Sequence, residues 1–451
     1  MSSIDFDRQG SLKQICCDCA ARCAASLGLA ASLRDMPNFM LHDSAPVVIL
    51  MGRKGKETEK VSVADRAIDL KQKFQRSYGR EARVYRAPGR VNLIGEHTDY
   101  NDGFVMPAPI GFSTWIALAP RDDRKLSIYS ENFRERVEFD LFVIDGTGAR
   151  PRPAAHWSDY VCGVAVALEQ AGYSLRGGDM LIRGEVPIGS GLSSSAALEV
   201  AVGYALLDAS DHTVDRVELA KLCQQAENEY VGMRCGIMDQ FISCCGHAGR
   251  ALLLDCRSLD YRSLPLPGVA RLVVCNTMVK HELASGEYNR RRAECEDGVE
   301  RLARFLPGAR ALRDVTPDEL ERHGRELPEV VYRRCRHVIG ENARVMAAAA
   351  ALEQNDLAAF GRLMSESHRS LSDDYQVSCD ELNLLVELAG RVEGVYGARM
   401  MGGGFGGCVI SLVATESVAE FERVVAQGYQ QATGRAPEIY VCDTAEGVER
   451  L

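Results

Sequence analysis

Apolar and polar positions recur with two different periods along this chain, and the two periods predict both helices and strands. Apolar residues three or four positions apart predict helices at 63–78, 196–208, 214–230, 294–305 and 338–367, with a further helix opening at 156–161. Short apolar or alternating runs predict strands at 81–87, 179–186, 271–276, 408–413 and 438–442. The pattern therefore predicts a mixture of the two kinds of element in both halves of the chain.

Length and composition are those of an ordinary globular protein. The chain has 451 residues, of which 46% are apolar and 26% are charged, and this length suggests two or more domains, each with its own core. The net charge of −10 argues against a general nucleic-acid binder. No apolar run approaches the roughly 20 residues that cross a bilayer, and the N-terminus MSSIDFDRQG lacks the pattern of a secretory signal. We therefore expect neither a nucleic acid nor a membrane as a partner.

The chain has sixteen cysteines, but their pattern does not predict a disulfide framework. Twelve of them lie between Cys162 and Cys442, mostly beside small or apolar residues, as in the segment 242–245. A free cysteine packs as a small hydrophobic side chain, and a large chain without a secretory signal indicates a reducing compartment. We therefore expect a cytoplasmic protein.

Residues 1–62 differ from the rest of the chain, and we expect a poorly ordered extension. A charged, linker-like run occupies 51–60. Before it, four cysteines fall within eight positions, at Cys16, Cys17, Cys19 and Cys23. Four thiols could hold zinc, but the spacing lacks the two separated Cys-x-x-Cys pairs of the usual tetrahedral site. A metal module in this extension stays an alternative, and metal analysis of the purified protein would test it.

The stretch 186–198, VPIGSGLSSSAAL, has the order strand, glycine turn, hydroxyl cluster, helix. Glycines let the backbone turn sharply and leave successive N–H groups free to point at one anion, and a helix start adds the positive end of its dipole. The alternative is a tight turn with a serine N-cap, which needs only one hydroxyl. Three consecutive serines after two glycines exceed that need, so phosphate binding is at least as good an interpretation.

A second polar cluster lies in the stretch 87–101, APGRVNLIGEHTDYN. Arg90, Asn92, Glu96, His97 and Asp99 fall within ten positions, and the Leu-Ile pair between them would anchor the segment inward. A surface loop with salt bridges could look the same. Clustered donors and acceptors in fixed positions nevertheless suit a polyhydroxylated ligand, since each sugar hydroxyl can both donate and accept.

Together these stretches resemble the galactokinases, members of the GHMP family of small-molecule kinases. The likeness runs from about residue 65 to the end of the chain, through five blocks in the family's order: 87–101, 186–198, 227–241, 276–289 and 399–407. The last block contains G-x-G-x-x-G at 402–407, but a strand rather than a helix follows it, so we reject a dinucleotide-binding interpretation.

The resemblance implies an α+β fold with the two-domain GHMP architecture. In this architecture, helices pack on mixed sheets and the active site lies in the cleft between the domains. We expect an N-terminal domain at 63–260, which carries the sugar signature and the phosphate loop. The C-terminal domain would occupy 261–451 and carry the glycine-rich turn.

The resemblance also implies an activity, which is transfer of the γ-phosphoryl group of ATP to the C1 hydroxyl of α-D-galactose, the first committed step of galactose use by the Leloir pathway. The residues that match the family's sugar ligands are Glu96, His97, Asp99, Gly236, Asp239 and Tyr288. Those that match its ATP site are Trp157, which falls where the family places an aromatic ring against adenine, and Gly189, Ser190, Gly191, Leu192, Ser193, Ser194 and Ser195. We expect a monomer whose partners are the small-molecule substrates galactose and ATP.

The implied chemistry depends on positioning and charge neutralisation. Ser195 and Glu227 match the family's Mg²⁺ ligands, and Mg²⁺ prefers oxygen donors. Asp239 would accept the proton of the C1 hydroxyl, with Arg90 beside it. Whether Asp239 acts as a general base or mainly as an electrostatic partner stays open at this point.

Two other functions are compatible with the same blocks. One is a kinase for a related sugar, such as N-acetylgalactosamine or L-arabinose, because selectivity at C2 depends on the shape of the pocket. The other is a catalytically inactive sensor that binds galactose and ATP. Known sensors of this kind lose residues next to the loop serines, whereas Ser195-Ala196, Arg90 and Asp239 are all present here, and this disfavours the sensor.

Overall fold

The structure is a computed structural model that describes residues 61–141, 155–280 and 284–451. The predicted extension at 1–62 and its four cysteines lie outside the described residues, apart from Val61 and Ser62. Ser62 is the N-cap of the first helix, because its hydroxyl accepts a hydrogen bond of 3.1 Å from the backbone N–H of Asp65.

The strands of the described chain form three sheets. They are β1 (Arg83–Asn92), β2 (Phe104–Val105), β3 (Pro107–Arg121), β4 (Lys125–Ser130), β5 (Glu135–Asp140), β6 (Gly177–Gly184), β7 (Arg250–Asp255), β8 (Tyr261–Pro265), β9 (Ala270–Lys280), β10 (Val395–Met401), β11 (Gly406–Ala414), β12 (Glu438–Cys442) and β13 (Glu449–Arg450). A six-stranded sheet has the order β13-β1-β3-β6-β4-β5, a four-stranded sheet has the order β10-β11-β9-β12, and a small sheet has the order β2-β7-β8. Only β4 and β6 pair in parallel among these neighbours.

The helices lie between and over these sheets. They are α1 (Val63–Tyr78), α2 (Ser158–Gln170), α3 (Ser194–Ala209), α4 (Arg216–Gln225), α5 (Met238–Cys245), α6 (Ala284–Leu302), α7 (Pro317–His323), α8 (Glu329–Glu353), α9 (Leu357–Ser370), α10 (Asp380–Gly390) and α11 (Val418–Thr433). Two π-helical turns continue α4 and α9, at Ala226–Val231 and Leu371–Tyr375. Within the described residues, no helix combines the length and the apolar character needed to cross a membrane.

The six-stranded sheet is covered on both faces. Successive side chains of a strand point to opposite faces, and in β1 Val84 packs against Phe74 of α1 in one core whereas Tyr85 belongs to the core beneath α2–α5. Helix α3 is apolar around its whole circumference, as expected of a helix that is buried on all sides. It packs on β1 and β3 and is itself covered by α2 and α4.

The second half repeats this plan with different elements. Helices α9 and α10 pack on the four-stranded sheet, and α8 lies between α6 and α9. A third core joins the two halves, since Leu93 after β1 belongs to the same cluster as Val345 of α8 and Ile410 of β11. Mixed sheets with helices packed on them confirm the predicted α+β fold.

Three helix predictions were wrong in extent. The periodicity predicts a helix at 294–305, but α6 spans Ala284–Leu302. The periodicity over 338–367 predicts one helix, but the structure has α8 and α9, because Asn355 adopts a left-handed φ of 57° and the Asp356 side chain caps the second helix at Ala359. The stretch 214–230 is likewise not one α-helix, since α4 passes into a π-helical turn at Ala226.

The predicted boundary between domains at 260/261 stays a prediction. Strand β13 belongs to the range predicted as the C-terminal domain, and it pairs with β1 in the six-stranded sheet.

Candidate active site

A cavity of about 400 Å³ collects most of the residues that the sequence singles out. Its walls come from the loop at 93–103 (the acidic loop), the loop at 186–193 (the glycine loop), the starts of α3, α5 and α6, and the turn between β10 and β11. The residues that line it are Arg90, Glu96, His97, Asp99, Gly189, Gly191, Ser193, Ser194, Ser195, Glu227, Met233, Cys235, Gly236, Met238, Asp239, Tyr288, Gly402, Gly403 and Gly404. Three predicted site residues, Trp157, Ser190 and Leu192, are not part of this lining.

The glycine loop has the backbone geometry of an anion site. Gly189 and Gly191 adopt left-handed φ angles of 73° and 76°, which glycine tolerates. Ser193 adopts a φ of 60°, which is uncommon for a residue with a side chain. Helix α3 begins at the next residue, so its free N–H groups and positive dipole end face the cavity. Ser193 makes no side-chain cap, so the alternative of a simple serine N-cap was wrong.

Ser190 and Leu192 shape the loop from behind. The buried Ser190 hydroxyl donates to the Pro187 carbonyl at 2.7 Å. The Leu192 side chain is buried in the core that joins the two halves, and its carbonyl accepts from the Arg90 N–H at 3.1 Å. The predicted contact of these two residues with ATP stays a prediction.

Arg90 and Asp239 form a bidentate pair in the cavity. The Arg90 Nε and Nη2 atoms each donate to one carboxylate oxygen of Asp239, both at 2.7 Å. The Ser193 hydroxyl donates to the same Oδ2 atom as Nη2. The remaining Arg90 nitrogen, Nη1, donates to the Gly191 carbonyl at 2.5 Å. The Arg90 guanidinium therefore links the Asp239 carboxylate to the glycine loop through hydrogen bonds.

Glu227 lies in the π-helical turn after α4 and lines the same cavity. Its buried carboxylate accepts from the Gln240 amide at 2.6 Å and from the Cys235 thiol at 3.3 Å, and it is also bonded to the Ser195 hydroxyl. Burial raises the pKa of this carboxyl, and the negative charge of Asp239 adds to the effect. A cation would relieve this destabilisation of the charged form.

The donor set of Ser195 and Glu227 fits Mg²⁺. Both residues offer oxygen atoms, and Mg²⁺ in phosphoryl-transfer sites keeps several waters and uses one or two carboxylates together with substrate phosphates. No cluster of three or more His, Cys, Asp or Glu side chains in the described part of the chain could hold a metal ion without such help.

Glu96 is held by a buried arginine that the sequence analysis did not identify. The Glu96 Oε2 atom accepts from Arg399 at 2.5 Å and from the Asn92 amide at 3.3 Å. Burial raises the pKa of Glu96, while the charges of Arg399 and Arg90 oppose that shift. Arg399 is fully buried in β10 and also donates to the Asn92 carbonyl at 2.8 Å.

His97 lies in a group of aromatic rings. Its Nδ1 atom is 2.7 Å from the hydroxyl of Tyr100, which is 2.8 Å from the hydroxyl of Tyr375, and its ring centroid is 5.6 Å from that of Tyr288. Burial lowers the pKa of His97 to about 3, so the ring is neutral at physiological pH. A hydrogen bond with the backbone of Gly403, which also lines the cavity, partly opposes this shift.

Asp99 and Gly236 fit against each other. A Cβ atom on Gly236 would lie 1.9 Å from the Asp99 Oδ2 atom, so only glycine is compatible with this approach. Burial, with the charges of Asp239 and Glu96, raises the pKa of Asp99 to about 7. Sequence analysis predicted both residues as sugar ligands, and the structure brings them to the same wall.

Trp157 lies at the start of α2 and packs outside the cavity lining. Its ring is parallel to that of Phe133, with the centroids 5.6 Å apart. Its indole N–H donates to Glu135 at 2.9 Å. A contact between this residue and adenine stays a prediction.

Sequence reasoning missed three buried residues behind the cavity. They are Arg399, which pairs with Glu96, Gln240, which donates to Glu227, and Glu199, which accepts from Gln240 at 2.9 Å. Glu199 could have been noticed, because it is the only charged residue in the first three turns of the otherwise apolar helix α3. Arg399 lies in one of the five blocks, but nothing local to it indicates its partner.

Comparison with known families gives three matches along the chain. The galactokinase galactose-binding signature matches residues 72–120, the GHMP kinases N terminal domain matches 159–247, and the GHMP kinases C terminal domain matches 348–429. The three ranges contain most of the walls of the cavity.

Comparison with individual proteins agrees with this. The chain is 50% identical over 384 residues to a galactokinase of Roseiflexus sp. (strain RS-1), covering 85% of this chain and 97% of the relative. It is 50% identical over 376 residues to a galactokinase of Chloroflexus aggregans, covering 83% and 95%. The crystal structure of Lactococcus lactis galactokinase complexed with galactose is 39% identical and superposes with a TM-score of 0.82, covering 85% of this chain and 99% of that one.

Proposed function

Because the chain belongs to the galactokinases, a family of GHMP sugar kinases, we propose that its cavity transfers the γ-phosphoryl group of ATP to the C1 hydroxyl of α-D-galactose. The protein is a sugar kinase, a phosphotransferase that takes ATP as its donor. The residue roles below are our proposal, and the geometry of the cavity supports them.

The acidic loop binds the sugar in this proposal. Glu96 and Asp99 accept hydrogen bonds from sugar hydroxyls, and the neutral His97 ring lies on the same wall of the cavity. Gly236 and Tyr288 complete this wall. Sugar isomers differ in the orientation of their hydroxyls, so a site that distinguishes them needs side chains held in fixed directions.

Asp239 accepts the proton of the C1 hydroxyl, and its geometry indicates which oxygen does so. Oδ2 already accepts from Arg90 and Ser193, whereas Oδ1 accepts from Arg90 alone among the residues that the structure describes. Oδ1 is therefore the oxygen with an acceptor position left for substrate. The guanidinium compensates the carboxylate charge and can also stabilise the charge that develops on the transferred group.

The glycine loop and the start of α3 bind the phosphates through backbone N–H groups. Ser195 and Glu227 would hold Mg²⁺. When bound there, the ion would supply neutralisation of phosphate charge. Gln240 and Cys235 donate to the Glu227 carboxylate and orient it for this role.

We further propose that the protein acts in the cytoplasm as a monomer. All twelve cysteines of the described residues are free, which agrees with a reducing compartment.

The observation that carries the proposal is the Arg90–Asp239 pair, which lies in one cavity between the glycine loop and the acidic loop. The test incubates purified protein with ATP, Mg²⁺ and a panel of galactose, N-acetylgalactosamine and L-arabinose, and follows sugar phosphate by phosphorus NMR. We expect galactose to be the preferred acceptor. Sugar phosphate formed fastest from another member of the panel would reassign the acceptor.

The substitution Asp239→Asn tests the chemical role. We expect kcat to fall at least about 100-fold, because a general base contributes 10²–10⁴-fold, while ATP binding measured by calorimetry is retained. Asp122→Asn, at a carboxyl that is 94% exposed, is the matched control. A variant that keeps more than about a hundredth of kcat would exclude Asp239 as the base. Absence of product from every sugar with the wild-type protein would favour the inactive sensor.

A further inference from the structure

Helix α8 belongs to the second half of the chain, yet it makes direct hydrogen bonds to the backbone of the acidic loop. His337 and Glu341 do so from adjacent turns, and Asn342, beside Glu341, bonds to Phe104, the first residue after the loop. All three are buried, and the first two are fully inaccessible to solvent. None of them lines the cavity, so their contribution to the reaction would be indirect.

Glu341 accepts two consecutive backbone N–H groups of the acidic loop. Its Oε1 atom is 2.9 Å from the Gly95 nitrogen and 3.3 Å from the Glu96 nitrogen, and it also accepts from the Ser367 hydroxyl at 2.6 Å. Its Oε2 atom accepts from Arg344 at 2.7 Å. Burial raises the pKa of Glu341, but the charges of Arg344, His337 and Arg399 and the hydrogen bond from Ser367 together outweigh that effect and lower the pKa to about 2.

His337 and Asn342 extend the same contact. The His337 Nε2 atom donates to the Glu96 carbonyl at 3.1 Å, and Asn342 accepts from the Phe104 N–H, at the end of the loop, at 2.9 Å. Both backbone groups of Glu96 are therefore bonded to α8, while its side chain faces the cavity. A small displacement of Glu341 would move that side chain directly.

The acidic loop lies so close to α8 that two of its positions have no room for a side chain. A Cβ atom on Gly95 would lie 2.9 Å from Val345 and 2.7 Å from the Phe104 carbonyl. A Cβ atom on Gly103 would lie 2.5 Å from the Asn342 Oδ1 atom. These two glycines let the loop lie directly against α8, and the loop is therefore positioned by this helix.

We propose that Glu341 is a positioning residue for sugar binding, which sets the place of Glu96 and His97 through the backbone of the acidic loop. This inference rests on the proposed function. Groups that bind a substrate must be held within roughly 0.5 Å of the productive geometry. Glu341 accepts hydrogen bonds from the backbone N–H groups of Gly95 and Glu96. Among the described residues no hydrogen bond or ion pair joins Glu341 to the glycine loop, so phosphate binding should not depend on it.

The test compares Glu341→Gln with Glu353→Gln, a change of the same kind at an exposed position of the same helix, where Glu353 pairs with Arg262. We expect Glu341→Gln to raise the galactose KM about tenfold, which corresponds to about 1.4 kcal/mol, and to leave the ATP KM within about twofold. The control should change neither constant. A purely structural role would lower thermal stability and the amount of active enzyme without separating the two KM values.

Ser367→Ala is the second variant, because it removes only the hydroxyl that donates to Glu341 and could fold where Glu341→Gln does not. We expect the galactose KM to rise about threefold and the ATP KM to stay constant. If the variants that fold have the galactose KM of wild type, the inference about Glu341 is wrong, but the proposed function is unaffected. A wild-type protein that neither binds nor phosphorylates galactose would instead overturn the proposed function.

Discussion

The glycine loop and the acidic loop face the same cavity, but they are built in different ways. The glycine loop relies on backbone geometry, with two glycines and one serine in left-handed conformations, and its Ile188 side chain is 58% exposed. The acidic loop relies on side chains, most of which are buried, and partners from the second half of the chain bind its Glu96 carboxylate and its Gly95 backbone N–H.

The difference follows from what each loop is proposed to bind. A phosphate group presents equivalent oxygens and a high charge, so N–H groups and a helix dipole suffice to hold it. A sugar is distinguished from its isomers by the directions of its hydroxyls, so the groups that read it must themselves be fixed. We therefore expect substitutions in the two loops to change different kinetic constants.

The largest effect is expected from breaking the buried pair of Glu96 and Arg399. Glu96→Ala should raise the galactose KM by about 100-fold. It should also lower the free energy of unfolding by about 3–5 kcal/mol, because it leaves Arg399 charged and unpaired in the interior. Enzyme kinetics and denaturant unfolding measure the two effects.

The double variant Glu96→Ala/Arg399→Met separates those effects. It should recover part of the lost stability, since no uncompensated charge remains, but it should not recover the galactose KM. An unchanged KM in Glu96→Ala would remove Glu96 from the sugar site.

A smaller effect, on the other substrate, is expected from Gly191→Ala in the glycine loop. The substitution meets no steric obstacle nearer than 3.9 Å, but it places a side chain at a φ of 76°, which costs on the order of 1–2 kcal/mol. We expect the ATP KM to rise about tenfold while the galactose KM stays within about twofold.

Gly79→Ala is the matched control for this strain, because Gly79 has a φ of 68° and open space around it at the end of α1. It should lower stability by a similar amount and change neither KM. Equal increases of both constants in Gly191→Ala would mean that the two loops are not independent.

The smallest effect is a pH dependence from Asp99. Because its pKa is raised to about 7, lowering the pH from 8 to 6 protonates it and removes an acceptor for the sugar. We expect the galactose KM to rise about threefold over this range. Asp99→Asn should abolish this pH dependence in steady-state assays.

The same shift predicts the sign of a stability change. The folded protein holds a proton on Asp99 that the unfolded chain releases above about pH 4, so this residue contributes stability that is lost as the pH rises from about 4 to 7. The free energy of unfolding of Asp99→Asn minus that of wild type should therefore be larger at pH 8 than at pH 5. Thermal unfolding at the two pH values measures this, and a constant difference would contradict the shifted pKa.

The sequence predicted those parts of the fold that depend on local periodicity. Helix α1 and strand β12 begin and end where the pattern predicts. The break between α8 and α9 was missed, because Asn355 and Asp356 interrupt an apolar period that itself continues. The π-helical turn at Glu227 was also missed, because one wider turn does not visibly change the apolar pattern of the sequence.

For the site, the motifs indicated which residues share a cavity but not what supports them. Glu96 was singled out by the polar residues around it in the sequence, whereas the role of Asp239 was predicted from the resemblance. Arg399 and Glu341 could not be, because they reach the acidic loop from more than 240 positions away, and a buried charge in a strand or helix has no local signature that names its partner. Trp157 was assigned by resemblance alone.

The pairing of β13 with β1 has a consequence for synthesis. Tyr85 and Arg86 pair with Arg450 and Glu449, and Val448 is fully buried in the core beneath α2–α5. Roughly 360 residues separate the two strands, so at about 5–20 residues per second the ribosome needs about 20–70 s between them. Throughout that interval the outer edge of β1 is without its partner, and an unpaired edge is prone to association with other chains. We expect the nascent chain to need protection by chaperones during this time.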